Sequence, residues 1–496
     1  MKRISALAFF AAAILSASAQ TNANVRVMSL PDCFKEALAH NLDLQIERYA
    51  PQISLYDLYA AYGGYDPTFS LSGQRNFNNS PGGLTSQQIP YPATTSESDS
   101  FNSSLGGVLP SGLQYSLSGN ISDRNFRAFT NRTENSSGSI GVNLTQPLLK
   151  NFWIDNNRLS ISVAKNRLKY TEQSLRSQII TTITAVENAF YELIYAREKV
   201  KVQQQALDLA QKQLADDKQR VELKVLAERG GTIEQDESQV ASSRASLISA
   251  QFAYVGDQNA LKILLTDNYA QWQEMEIVPA EPMAAVKQLF DLQDSWTKGL
   301  AQRPDMIQAK LDVEQHGFQL KYSFNQLFPQ LDLIGSYGFN GQGREFSDAL
   351  GQIDRGNAPS YSVGAQFAIP LSNVRARNSY KISKANQQQI LLQLKKLEQT
   401  AMLQIDNAVA QARSAWESVA VTQQASVYAQ VALEAEQGKY AAGKSTTFTV
   451  LQLQSKLTSA RSDEIRALAD YNKSLANLAQ QEGSTLERRQ IDFKVK

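Results

Sequence analysis

Cysteine and histidine are almost missing from this chain. Cys33 is the only cysteine, and His40 and His316 are the only histidines, in 496 residues. A single thiol excludes an internal disulfide and any cysteine-based zinc site. Two histidines far apart in sequence leave no metal cluster and no nucleophile–histidine–acid arrangement, so no catalytic, cofactor-binding or metal-binding residue is expected. An excess of one charge is missing too. With 49 Lys+Arg against 48 Asp+Glu, no basic field argues for nucleic acid. Long apolar runs are also lacking beyond the N-terminus, so a version of this chain that crosses a membrane must cross it with strands.

What is present begins with a targeting signal. Met1, Lys2 and Arg3 supply positive charge, Ala6 to Leu15 form an apolar run, and Ala17-Ser18-Ala19 fits a cleavage site. Residues 1–19 are therefore expected to be a signal peptide, leaving Gln20 as the first mature residue. The run is shorter than the roughly 20 residues of a spanning helix. Cys33 follows no lipobox-like stretch, so no acylated N-terminus is expected.

The chain then repeats itself. Laid without gaps over 300–335, residues 38–73 pair Leu38 with Leu300, Asp43 with Asp305, Leu58 with Leu320, Pro67 with Pro329 and Gly73 with Gly335. Downstream, Gly141 to Leu148 matches Gly364 to Leu371, aligning Pro147 with Pro370. Each half reads helix, strand, strand, helix. Opening helices are expected over 31–63 and 295–327, ended by Pro67 and Pro329, because proline disfavours helix in the residue before it and cannot extend the ladder. Strands are expected near 66–76 and 138–146 in the first half, and near 330–340 and 360–369 in the second. Leu331, Leu333, Tyr337 and Phe339 share one face of their strand, with Asp332, Ser336 and Gly338 opposite. That alternation suits a transmembrane barrel strand, and it also suits any half-buried sheet. The first half carries extra sequence between its strands, residues 77–137, rich in Asn, Ser, Gly and Thr. Most of it is expected to be loop, although 113–121 alternates and could form an extracellular hairpin lengthening the barrel strands, and 100–123 could add barrel strands.

Long helices follow each strand pair. Val186, Leu193, Val200, Leu207, Leu214 and Val221 recur every seven residues, with a seam that turns polar at Arg197, Gln204, Gln211 and Lys218. Helices are expected over 155–222 and 372–441, each roughly 100 Å long at about 1.5 Å per residue. Those over 233–266 and 446–484 are half as long. Two short helices stacked end to end would match one long one, with 267–294 as an equatorial connector bearing Pro279 and Pro282 in irregular structure. The plan is thus a signal peptide, a first repeat over 20–266, the connector, a second repeat over 295–484 and a tail over 485–496. Four strands are fewer than the roughly eight of the smallest closed barrels. The subunit should therefore oligomerise, most simply with cyclic symmetry. Three copies would give twelve strands.

In this order and in two copies, the motifs resemble the TolC-like outer-membrane efflux protein family over residues 28–484. They are Ala37 to Leu44, Pro329-Gln-Leu-Asp-Leu333, Gln146-Pro147-Leu148-Leu149, Ile369-Pro370-Leu371 and the turn Tyr440-Ala-Ala-Gly443-Lys444-Ser445 followed by Val450-Leu451-Gln452. The resemblance implies a fold class: an α+β membrane channel, with a long α-helical coiled-coil barrel joined to a transmembrane β-barrel assembled from several subunits. It implies a homotrimer for efflux or type I secretion that is not an enzyme and works with a periplasmic adaptor and an inner-membrane pump. Its place would be the outer membrane, in contact with lipid, with a periplasmic tunnel. A periplasmic coiled-coil adaptor without a barrel is the competing reading. The family's gate and adaptor-docking region maps to Gly230, Gly231, Thr232 and Glu234 at one helix turn and Tyr440, Gly443, Lys444, Thr449 and Gln452 at the other. Carboxylates that commonly follow the second turn in the family are replaced here by Thr449 and Gln452. Glu234, Asp236 and Glu237 either supply acid instead or form a solvated first helical turn, which acids favour.

Overall fold

The computed structural model describes residues 25–128, 131–222 and 232–491; the expected signal peptide and Gly230 and Gly231 lie outside them. β1 (Val25–Met28) leads into α1 (Leu30–His40), α2 (Leu42–Glu47) and α3 (Tyr49–Tyr62). Ser29 caps α1: its hydroxyl accepts from the Asp32 N–H while the Asp32 carboxylate accepts from the Ser29 N–H, which satisfies donors the first turn cannot bond internally. Asn41 interrupts the opening helix, accepting from the Leu44 N–H and donating to the Leu264 carbonyl. Strands follow Pro67: β2 (Thr68–Ser80), the short pair β3 (Gly83–Leu84) and β4 (Pro90–Tyr91), then β5 (Thr94–Val108), β6 (Gln114–Ala128) and β7 (Asn131–Pro147). α4 (Asn156–Glu222) and α5 (Thr232–Leu265) come next, then α6 (Tyr269–Trp272) and β8 (Glu276–Pro279). In the second half, α7 (Leu292–Gln302) breaks before Pro304, the first residue of α8 (Pro304–Asn325). β9 (Gln330–Gly343), α9 (Phe346–Asp354), β10 (Pro359–Ala368), α10 (Val374–Ala441), α11 (Thr447–Glu482) and α12 (Thr485–Arg488) complete the order. Among the described residues, no helix is long and apolar enough to cross a membrane.

The chain divides into two compact units. One comprises residues 46–177 and 297–403 and holds a six-stranded antiparallel sheet in the order β10-β9-β7-β6-β5-β2. Pro67 and Pro329 stand just before β2 and β9, Pro147 closes β7, and Pro370 follows β10. Strand, not loop, fills much of 77–137: β5 and β6 run through it and insert between β2 and β7. The expectation of loop failed because serine and asparagine are poor strand formers locally, while neighbours on both sides satisfy their backbone groups here. The hairpin turn at 109–113 returns to the level of the helix junctions. There Arg158 donates twice to the Pro110 carbonyl, at 3.0 and 2.7 Å, and Gln146 reaches the Ser111 carbonyl. α9 lies over the far end of β9 and β7, where Ile353 approaches both Gly138 and Gly341. A Cβ at Gly341 would run into the Ala349 carbonyl.

Register aligns the sheet into rows. Phe69, Leu105, Leu117, Val142, Tyr337 and Tyr361 are consecutive cross-strand partners from one edge to the other. One residue along, on the opposite face, the row reads Ser70, Ser104, Ser118, Gly141, Gly338 and Ser360. Hydroxyls link across that face, Ser70 to Ser104 at 2.8 Å and Ser336 to Ser362 at 2.7 Å. The apolar row is exposed in all six strands: Phe69 is 66% exposed, Leu105 36%, Leu117 41%, Val142 39%, Tyr337 55% and Tyr361 81%.

The other unit comprises residues 25–45, 178–296 and 404–491 of the described chain. Its core is the expected seam. Ile179, Ile183, Val186, Phe190 and Leu193 on α4 are all 1% exposed or less, and each full burial is worth about 1.5–3 kcal/mol. The polar continuation is on the surface, with Gln204, Gln211 and Lys218 exposed. α10 and α11 pack through Ala429, Leu433, Tyr440, Val450 and Leu457. The connector is not wholly irregular: β8 pairs in parallel with β1, Ile277 beside Arg26, and Pro279 ends the strand where it costs no ladder bond. Glu187, 2% exposed, is held by the Arg489 guanidinium.

Candidate gate at the helix ends

Four helix ends meet around one buried carboxylate. Asp217 sits near the end of α4 with no exposed surface. Tyr440, at the end of α10, donates its hydroxyl to Asp217 Oδ1 at 2.7 Å. Thr447, at the start of α11, donates to Asp217 Oδ2 at 3.1 Å, and Gln213 donates to the same oxygen at 2.9 Å. The Tyr440 and Thr447 hydroxyls lie 2.9 Å apart. Burial pushes the Tyr440 phenol up to about 12, so it stays a donor. The Arg220 guanidinium lies 4.8 Å from its ring centre.

Asp236, in the first turns of α5, supplies a second carboxylate with no exposed surface. Among the described residues neither of its oxygens accepts a hydrogen bond from a neutral or cationic donor, and its close neighbour is the Asp217 carboxyl group. Burial first, and then the negative charge of Asp217, push its carboxyl up to about 7. Asp236 therefore holds its proton more readily than an ordinary carboxylic acid, since two adjacent carboxylates cannot both ionise cheaply. Lys218 and Glu237 tie the same two helices at the surface, 2.9 Å apart.

The expected gate residues are brought together only in part. Tyr440 is buried in the network. Thr232 opens α5, half-buried, and Glu234 is exposed beside it. A solvated first turn holds for Glu234 and Glu237 but not for Asp236, which lies on the stripe continued by Ser243, Leu247 and Ala250 into the helix interface. Gly443 has φ +70° after the end of α10, the left-handed turn that favours glycine. Nothing stands within 4 Å of where its Cβ would be, so its requirement is conformational. The Lys444 N–H bonds the Lys439 carbonyl at 2.8 Å. The Thr449 N–H and hydroxyl both reach Thr446, the N-cap of α11, and Gln452 is exposed. Asp217 and Thr447 were missed. The available signal was a carboxylate seven residues after Ala210 on the buried stripe of α4.

Long helices tied at a polar tip, together with a sheet apolar on one face and hydroxyl-lined on the other, define an outer-membrane channel subunit. The chain belongs to the outer membrane efflux protein family, whose sequence model matches residues 107–266 and 297–484. It is 22% identical over 340 residues to the outer membrane efflux protein BepC of Brucella suis biovar 1, covering 68% of this chain and 70% of that one. It is 25% identical over 311 residues to the pyoverdine export outer membrane protein OpmQ of Pseudomonas aeruginosa, covering 60% of each. The fold is that of the Campylobacter jejuni CmeC outer membrane channel (TM-score 0.65, 14% identity, 92% of this chain and 86% of that one). It also matches VceC of Vibrio cholerae (TM-score 0.65, 17% identity, 92% and 96%).

Proposed function

We propose that the chain is one subunit of a homotrimeric outer-membrane efflux channel that receives cargo from an inner-membrane pump through a periplasmic adaptor. The observation that carries this reading is the sheet. Its apolar face is exposed, and its edge strands β2 and β10 each have a neighbour on one side only. Such a sheet cannot sit in lipid alone, because bare edges leave backbone groups unpaired. β2 leaves the helical part after α3 and β10 returns to it before α10. The two edges therefore run in opposite directions, and β2 of one copy can pair antiparallel with β10 of the next until the ring closes. The family supplies the number three.

Two internal repeats are part of the proposal. The opening helices break at Asn41 and Arg303, which coincide in the sequence overlay. The long helices have 67 and 68 residues, and those that follow have 34 and 36. The helix ends around Asp217 would form the entrance and its turns the docking site for the adaptor. Membrane fractionation with chemical crosslinking tests the reading. A crosslinked trimer in the outer-membrane fraction is expected; a monomer free in the periplasm would overturn it in favour of a coiled-coil adaptor.

A further inference from the structure

We propose that all six strands of each subunit cross the membrane, so that the assembled barrel has eighteen strands rather than twelve. This rests on the trimeric channel reading above. Two strand pairs per subunit would have given four strands. The inserted hairpin of β5 and β6 adds two, and three observations make them barrel wall rather than an external flap. First, the hairpin lies inside the sheet, between β2 and β7, not at its outer end. β5 follows β2 over its whole length, from Thr68 beside Gly106 to Ser80 beside Thr94. Second, its turn comes back to the helix junctions, where Arg158 holds the Pro110 carbonyl at 2.7 Å. Third, the apolar row passes through it unbroken: Leu105 and Leu117 stand between Phe69 and Val142. A second apolar pair, Phe101 beside Ile121, lies four residues further out on the same face, where the Phe101 ring meets Phe346 of α9. Beyond that point the outward-facing positions become Asp99 and Asp123, with Arg75 within 3.8 Å of Asp99. Charge appearing at that height on β2, β5 and β6 together marks the end of the lipid-facing band for all three strands.

Barrel diameter grows nearly linearly with strand number, so eighteen strands make a lumen about half again as wide as twelve, in the range that leaves an open aqueous channel. The lining is nearly uncharged. By register, the inward face of the six strands carries only two charged side chains, Arg124 and Asp332, among serines, asparagines, glutamines and threonines. A lumen of this kind passes bulky hydrated cargo and sorts it neither by size nor by charge.

The test places single cysteines in the full chain and reconstitutes it with brominated lipid. Cys33 is fully buried, so the unsubstituted protein serves as the labelling blank. An environment-sensitive fluorophore at Leu105→Cys or Leu117→Cys is expected to lose the same fraction of its fluorescence as one at Val142→Cys or Tyr337→Cys. Labels at Ser104→Cys and Ser118→Cys should be unquenched by lipid and quenched by iodide. If 105 and 117 respond only to iodide while 142 and 337 respond to lipid, the hairpin is a flap and the eighteen-strand barrel is refuted. Iodide quenching at all four would refute the channel reading itself. Should a variant fail to assemble, strands are counted in electron-microscopic reconstructions of the unlabelled trimer: eighteen supports the proposal and twelve overturns it.

Discussion

Raising the pH from 5 to 8 should loosen the helix ends around Asp236. In the folded chain its carboxyl is pushed up to about 7 from the ordinary 3.8, by burial and by Asp217. Its folded form therefore holds a proton that the opened form gives up. With the folded value raised, the stabilisation is complete below pH 3.8, is lost progressively as pH rises toward 7, and stays lost above that. At about 1.36 kcal/mol for each tenfold change, the loss between pH 5 and 8 is roughly 2–3 kcal/mol. Among the described residues, charged side chains near these helix ends include Lys218, Arg220 and Glu222 on α4, Glu234 and Glu237 on α5, Glu436 and Lys439 on α10, and Lys444 in the following turn. Lys218 and Glu237 pair with each other. Amide hydrogen exchange in the detergent-solubilised protein reads the effect directly. After correction for intrinsic rates, exchange over 233–240 and 440–450 should rise roughly 30- to 150-fold between pH 5 and 8, the equivalent of that free energy. Asp236→Asn removes the titration and can donate to Asp217, so its protection should be flat with pH and exceed that of the parent at pH 8. Protection of the parent that does not change with pH, or a pH dependence that survives in the Asn variant, would refute the raised carboxyl of Asp236.

Three further outcomes are expected. Thr449→Asp or Gln452→Asp should raise cation selectivity in single-channel recordings, because each restores a carboxylate after the turn; unchanged selectivity would remove both positions from the pore. Arg489→Ala leaves Glu187 buried with its charge uncompensated and should cost about 3–5 kcal/mol, seen as a fall in Tm or denaturant midpoint. Burial already raises the Glu187 carboxyl, so the loss should shrink at low pH, where the glutamate takes up its proton. Leu117→Arg puts a cation on the apolar face and should cost about 2–4 kcal/mol if it lies near the bilayer centre. Assembly in lipid measures it, and Ser118→Arg on the opposite face should assemble normally.

How far the fold could be read depended on whether the pattern lay along the chain or across it. β9 and β10 announce themselves, since Leu331, Leu333, Tyr337 and Phe339 alternate within one strand. β5 shows Phe101 and Leu105 separated by Ser103, with serines on both faces. Its apolar row exists only after register sets Leu105 between Phe69 and Leu117. A pattern spread over three strands cannot be seen in a one-dimensional scan. The candidate gate divides in the same way. Gly443 is legible because a helix end needs a left-handed residue, and Tyr440 came with the turn. Asp217 lies in the polar stretch of α4, where carboxylates ordinarily face water. Only its contacts with α10 and α11, distant in sequence, reveal that this one does not. Asp236 was one acid among three, and helical phase separates it from Glu234 and Glu237 once the interface is known.

The paired acids also bear on why a stable helix bundle would keep them. Replacing a buried ionic group with an apolar one of similar volume is often neutral or stabilising. Leucine at 217 and 236 would continue the stripes that Leu207 and Leu247 begin. A bundle selected only for stability would gain by the exchange. Helix ends that separate, as the proposed entrance requires, would not, because an apolar seam resists water and opens only against the full cost of its exposure. Carboxylates reverse that balance. Strained while enclosed, they are fully solvated once the ends part, so the groups that tie Tyr440 and Thr447 to α4 also lower the cost of letting them go. The same logic explains why Asp217 is met by neutral donors, Tyr440, Thr447 and Gln213, rather than by a cation. A buried ion pair would hold the ends more tightly than hydroxyls that water can replace one for one.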